Sequence, residues 1–505
     1  MSFTLDVPAL DSNPVLLAEL RPSKIAEFIE RIPFNNIFSA ATVLLEEMQI
    51  LNRQKVSADN RVKALELYRP AVIRVTYELH GLYINNTTYP MPAKVKSCAS
   101  AAELLWLELA YGYKLACLEY KSKFINARNK SSALVLQRAI HSLSQLSLVY
   151  YGIYFSPPAS IWADLHQLYY SAVQEGVDTI EVQDIASILN NVSSVELAYK
   201  QVMLIGLSNP QHLAKADIQC VADYLCHLSA SALLRGYGTT DSDSGVFLIK
   251  LNSNQLPIPF TKKPSAPNAA NDILLITIDV ARTMHQHLKL LQQGKVPSDG
   301  YFPADALDLS YPDLLTYLIK QLGATPKRLF TRANKDHKAQ LVFGITDIYQ
   351  SLESSSKNLA KISTWQVQNT SAIGYALKKF QAGDVNIKVG DFVAMKETLE
   401  SDWVIAVLRW IIADQQDHLD IGLQLLAPSV STIGIKSAKL AHYENALTLP
   451  EVAPLKLPKT IVVARGVYSP ATVFDIIQNG ALTQVLATKL LERTASFERF
   501  QFSKL

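Results

Sequence analysis

Residues 363–375 read STWQVQNTSAIGY, and the change of rhythm inside them decides what kind of domain closes this chain. Up to Gln368 the apolar Trp365 and Val367 alternate with polar neighbours, the period of a half-buried strand. Then comes the hexad Asn369-x-Ser371-x-x-Gly374. Asn, Ser and Gly are common turn residues, so the hexad alone implies little more than a bend.

Its surroundings imply more. After Gly323 the stretches KAQLVFGIT (338–346), STWQVQ (363–368), DFVAMK (391–396), WVIAVLRWII (403–412) and LDIGLQLL (419–426) are short strand candidates separated by turn residues. Such spacing predicts a small antiparallel β-barrel or sandwich. The stretch 403–412 is apolar on both faces, so its outer side needs a cover from the helical part or from the C-terminal tail.

Upstream the rhythm is helical. From about 14 to 235, apolar residues recur every three or four positions, as with Leu136, Ile140, Leu143, Leu146 and Tyr150. Similar stripes run through 36–53, 101–120 and 160–176, with breakers at TTYPMP (87–92) and FSPPAS (155–160). No fixed repeat period is visible. Residues 239–272 interrupt the helices, and helical patterns resume at 272–294 and 302–322. The expected organisation is α+β and multidomain. An all-helical module spans 1–322, with a small β excursion near 245–260. A barrel follows at 323–450, then a β-rich C-terminal extension at 451–505 that packs on it.

Bulk properties exclude several classes. A chain of 505 residues suggests two to four domains, and 49% hydrophobic with 18% charged residues is ordinary for a globular protein. A net charge of +3 gives no argument for binding a nucleic-acid polymer. No secretory signal is visible in MSFTLDVPALDSNPVLLAEL, and no apolar run is long enough to span a bilayer, so a cytoplasmic location is expected. Cys98, Cys117, Cys220 and Cys226 have neither disulfide-framework nor zinc-site spacing. His285 and His287 point apart on a helix, and DSDSG (241–245) lacks the remaining ligands of a calcium loop, so no metal site is expected. Trp162 and His166 share a helix face and are expected in the core. No catalytic motif is found, and no enzyme activity or cofactor is expected.

The segment PKRLFTRANKD (326–336) contains Arg328-x-x-x-Arg332. Short motifs of this kind arise by chance, but the order RxxxR then [D/N]xSxxG at the mouth of one small barrel resembles the PilZ domain family. The resemblance covers about 324–450, where VLRWI (407–411) and IGLQLL (421–426) look like that family's paired strands. It implies a receptor for cyclic di-GMP, with Arg328, Arg332, Asn369, Ser371 and Gly374 as ligand residues and Lys327 as a further phosphate contact. Arginine suits such a ligand because its fork matches a phosphate or the O6/N7 edge of guanine and its plane stacks on a base. Asn369 offers a carbonyl to the guanine N1 and N2 hydrogens. Ser371 can donate to a phosphate or brace the turn, and Arg409 beside Trp410 can be a pocket residue or a structural one. A receptor of this kind also implies a protein partner, which the sequence does not name. The alternative is a helical scaffold whose PilZ-like domain binds no nucleotide.

Overall fold

The computed structural model describes residues 3–122, 130–186, 191–238, 243–260, 271–303, 306–307, 311–324, 331–353, 361–380, 383–397, 402–453 and 458–505. The chain divides into two compact units. One comprises Met1–Asn86, Ala93–Pro210 and Lys215–Lys327; the other comprises Thr87–Pro92, Gln211–Ala214 and Arg328–Leu505.

The first unit is built on the helices Ile37–Asn52, Ala58–Tyr83, Ala93–Ser122 and Lys130–Gly152, joined by Ala159–Glu175, Val195–Leu207 and Lys215–Leu228. The stripe from Leu136 to Tyr150 is buried as the periodicity requires. The helix Lys130–Gly152 stops five residues before Pro157, Pro158 stands at the N-cap of the helix that Ala159 opens, and Ser194 Oγ accepts from Leu197 N at 3.2 Å as a helix cap. Ionic groups are buried between the helices. Arg69 Nη2 lies 2.7 Å from Asp184 Oδ1, Gln137 Nε2 donates to Asp184 Oδ2 at 2.8 Å, and Arg138 clamps both oxygens of Glu66 at 2.9 and 3.0 Å.

The β excursion is larger than the sequence suggests. Leu233–Gly236, Asp272–Ile276, Val246–Lys250 and Ile258–Pro259 lie side by side in one four-stranded sheet. The pattern at 272–294 therefore splits: DILLI is a strand buried in that sheet, and the helix is Ile278–Gln292. Its consecutive apolar residues fit a doubly covered strand better than a one-faced helix. Of 302–322, the described helix is Tyr311–Gly323, with Pro312 at its second position.

Trp162 and His166 do lie in the core. His166 Nε2 donates to the Gln255 carbonyl at 2.8 Å, and Nδ1 takes the Tyr199 hydroxyl at 2.7 Å, so the ring is held neutral in one tautomer. Burial lowers its pKa from 6.5 to about 4. The unfolded chain thus binds more protons than the folded chain between those values. Stability is complete above pH 6.5 and is lost as pH falls toward 4. Through this residue the unfolding free energy should drop by about 2 kcal/mol from pH 7 to pH 5. His166→Gln should flatten that slope in denaturant titrations at the two pH values; an unchanged slope would remove the assignment.

The second unit holds two closed barrels. The first uses β1 (Ala333–Phe343), β2 (Ser363–Ser371), β3 (Gly374–Lys379), β4 (Phe392–Glu397), β5 (Val404–Ala413) and β6 (Leu419–Ala427), closed in the order β3-β6-β5-β4-β1-β2. The second uses β7 (Ser431–Lys436), β8 (Glu444–Leu449), β9 (Thr460–Ala464), β10 (Val473–Gln478), β11 (Ala481–Arg493) and β12 (Phe497–Lys504), in the order β7-β8-β9-β12-β11-β10. Two differences from the sequence reading follow. Residues 431–449 pair with the C-terminal strands, so the first barrel ends before residue 450 and the expected extension is part of a complete barrel. In addition, β1 stops at Phe343 and the chain turns into a helix, Ile345–Glu353, where strand was expected to continue to 346.

The second barrel is also the cover that β5 requires. Ile405 and Val407 are fully buried in a cluster with Leu447, Leu449, Val462 and Phe497, while Ala406 and Leu408 face the other way. Phe392 and Phe497 meet at 5.2 Å between ring centroids. Burying each such ring contributes about 1.5–3 kcal/mol, so the two barrels share one apolar core.

Candidate functional site

The two strands that carry the sequence motifs are neighbours. β1 and β2 run antiparallel with Ala333 opposite Thr370 and Asn334 opposite Asn369. Arg332 immediately precedes β1, so it stands at the end of the barrel where β2 turns into β3. It is exposed and makes no ion pair among the described residues. Lys327 and Arg328 lie outside the described residues.

Asn369 is a strand residue, paired with Asn334 on one side and Ala376 on the other. The turn itself is made by Ala372 and Ile373 between the paired Ser371 and Gly374. Asn369 is therefore not there to shape the bend. Both strands are irregular at this point. β2 slips by one residue against β3 at Gln368, and β1 slips against β2 between Asn334 and His337. Bulges of this sort bend a strand end and re-aim its side chains.

Ser371 Oγ reaches the Gly374 carbonyl at 3.4 Å, a weak brace across the turn. Gly374 has a structural reason of its own: a Cβ there would stand 2.5 Å from the Leu423 carbonyl oxygen on β6. Gly422 is more restricted still, since its Cβ would fall inside the Trp410 indole, 1.8 Å from Nε1.

Three side chains near this end converge on Glu397. Tyr375 donates to Glu397 Oε1 at 2.8 Å, and Lys335 Nζ lies 3.7 Å from Glu397 Oε2. His337 Nε2 is 2.7 Å from the same oxygen, in a direction too bent for a hydrogen bond. Sequence reading missed this cluster, because its members come from three strands and no local spacing links them. Arg409 occupies the bulge of β5, where Leu408 pairs with Leu423 and Trp410 with Gly422. Its Nε donates to Gln424 Oε1 at 2.7 Å, and its Nη2 lies 2.7 Å from Glu492 Oε1. Arg409 thus ties the two barrels together, the structural one of its two expected roles.

Outside this site, no group of three or more His, Cys, Asp or Glu among the described residues is arranged to hold a metal ion. His287 instead contacts the Tyr224 hydroxyl at 2.8 Å and Asp299 at 2.8 Å. No helix among the described residues is long and apolar enough to cross a membrane.

Three family models match successive parts of the chain. Residues 23–239 match the N-terminal domain of the cyclic-di-GMP receptor FimW, 347–431 its middle PilZ domain, and 430–505 its C-terminal β-barrel domain. The chain belongs to the PilZ-domain cyclic-di-GMP receptor family. It is similar along nearly its whole length to a curated relative, the cyclic-di-GMP receptor FimW of Pseudomonas aeruginosa. The two are 21% identical over 99% of this chain and 93% of the relative. The boundary between the PilZ and C-terminal matches coincides with the step from β6 to β7. The PilZ match includes Asn369, Ser371 and Gly374 and begins after Lys327, Arg328 and Arg332.

Proposed function

We propose that this protein is a cytoplasmic receptor for cyclic di-GMP that relays ligand binding to a protein partner without catalysing a reaction. Arg328 and Arg332 clamp phosphate or guanine, Asn369 accepts from a guanine edge, and Ser371 and Lys327 add polar contacts. Gly374 keeps the turn tight enough for close approach. One observation carries the reading. The exposed Arg332, with no ion pair among the described residues, borders a doubly bulged strand end that bears Asn369, a side chain with no part in the turn.

Titration calorimetry of the full chain with cyclic di-GMP tests it. Wild type should bind saturably. Asn369→Asp should bind at least as well, because a carboxylate accepts more strongly from N1–H and N2–H. Asn369→Ala should weaken binding about ten-fold, the size of one lost hydrogen bond in a partly dry pocket, and by more than Ser371→Ala. Melting temperatures should stay close to wild type. Three variants that all bind like wild type would reject the site, and a wild type that does not bind would leave the scaffold alternative.

A further inference from the structure

The helical unit contains a groove unrelated to the nucleotide site. Two adjoining hollows share a wall formed by His141, Gln145, Gln219 and Asp223. The wider one encloses about 330 Å³ and is walled by Trp106 and His80. That volume is at the small end of ligand pockets.

The wall is rich in acceptors. His141 Nδ1 is enclosed and has no hydrogen-bond partner among the described residues. Burial and the nearby Arg69 keep this imidazole neutral, so one of its two ring nitrogens carries no proton and is an acceptor. Gln219 donates one of its two amide hydrogens to Asp223 Oδ1 at 2.9 Å, and its carbonyl oxygen is a further acceptor. Asp223 makes no ion pair among the described residues; it is open to the groove yet so closely flanked by protein that burial raises its pKa. Arg69 and Arg138 bring no surplus positive charge, since Asp184 and Glu66 offset them. A ligand complementary to this wall supplies donors, positive charge and a flat surface to lie against Trp106 and His80. A guanidinium meets all three needs, with five N–H groups in one plane that stacks on aromatic rings.

We infer that this groove receives an arginine side chain presented by a protein partner. Tyr77, at the mouth, is 79% exposed, an aromatic surface that a polypeptide would cover and a free amino acid would not.

The test is calorimetric titration of the full chain with three probes: Ac-Gly-Arg-Gly-amide, the same peptide with citrulline, and free arginine. The arginine peptide should bind saturably, and neutral citrulline at least ten-fold more weakly, the cost of one charged hydrogen bond. Asp223→Asn should weaken the arginine peptide by a similar factor, and Tyr77→Ala should weaken it while leaving free arginine unchanged. Equal binding of citrulline, wild-type affinity in Asp223→Asn, or no saturation by the arginine peptide would each overturn the inference. Free arginine binding as tightly as the peptide would overturn the partner assignment. Cyclic di-GMP titration of Asp223→Asn reads the other site separately, so the two proposals stand or fall apart.

Discussion

Replacing Asp184 with alanine should destabilise the helical unit by about 3–5 kcal/mol, the cost of leaving one member of a buried ion pair uncompensated. Asp184 and Arg69 are only 1% and 2% exposed, so water cannot replace the lost partner. Arg138 retains Glu66, but Arg69 and the Gln137 amide lose their acceptor together. Burial alone would raise the Asp184 pKa; the charges of Arg69 and Arg138 and the Arg69 hydrogen bond override it and hold the carboxyl far below its ordinary value. Its contribution is therefore fully present above pH 4, and falls away only as more acidic conditions approach that depressed value. Denaturant titration followed by helical circular dichroism at pH 7 should show the loss. Asp184→Asn, which keeps an acceptor, should lose less. The double variant Arg69→Met/Asp184→Leu should be more stable than Asp184→Ala, since removing both charges also removes the desolvation penalty. A loss below about 1 kcal/mol in Asp184→Ala would contradict the enclosed geometry.

Arg328→Ala and Arg332→Ala should each weaken cyclic di-GMP by about 1.5–3 kcal/mol, the value of a charged hydrogen bond, with the double variant losing about 3–6 kcal/mol if the two act independently. Arg332 makes no ion pair among the described residues, so its removal should leave the melting temperature alone. That separation of affinity from stability is the discriminating readout. A double variant with wild-type affinity would remove the first motif from the site, and a fall in stability to match the fall in affinity would make Arg332 a structural residue.

Five of the six strands of the first barrel were legible from local apolar pattern, whereas β3 (Gly374–Lys379), with only Ala376 and Leu377 buried, was not read as a strand. Trp365 and Val367, and the doubly apolar run from Ile405 to Leu408, announce themselves within a few residues. What covers Ile405 and Val407 was posed correctly by the sequence as a choice, but only long-range pairing could answer it. The same limit explains the misplaced boundary at 450. Ile433 and Ile435 look like any other strand, and their membership is set by partners as distant as Ile476 and Ile477. The helix Ile345–Glu353 was hidden because it is only nine residues long and follows a strand directly through Gly344. At the candidate site, local motifs singled out Asn369, Ser371 and Arg332 for test, whereas the Tyr375–Glu397–Lys335 cluster depends on barrel closure and leaves no local trace.

The core shared by the two barrels enlarges the genetic target of the PilZ domain. Substitutions at Leu447, Val462 or Phe497 lie in a separately matched domain, yet they remove packing from β4 and β5. On the proposed site, a screen for variants that no longer respond to ligand should collect such positions alongside the proposed contacts Arg332 and Asn369. Hits there report on the foundation beneath the pocket, and a map of the binding surface should be drawn only from variants whose melting behaviour is intact.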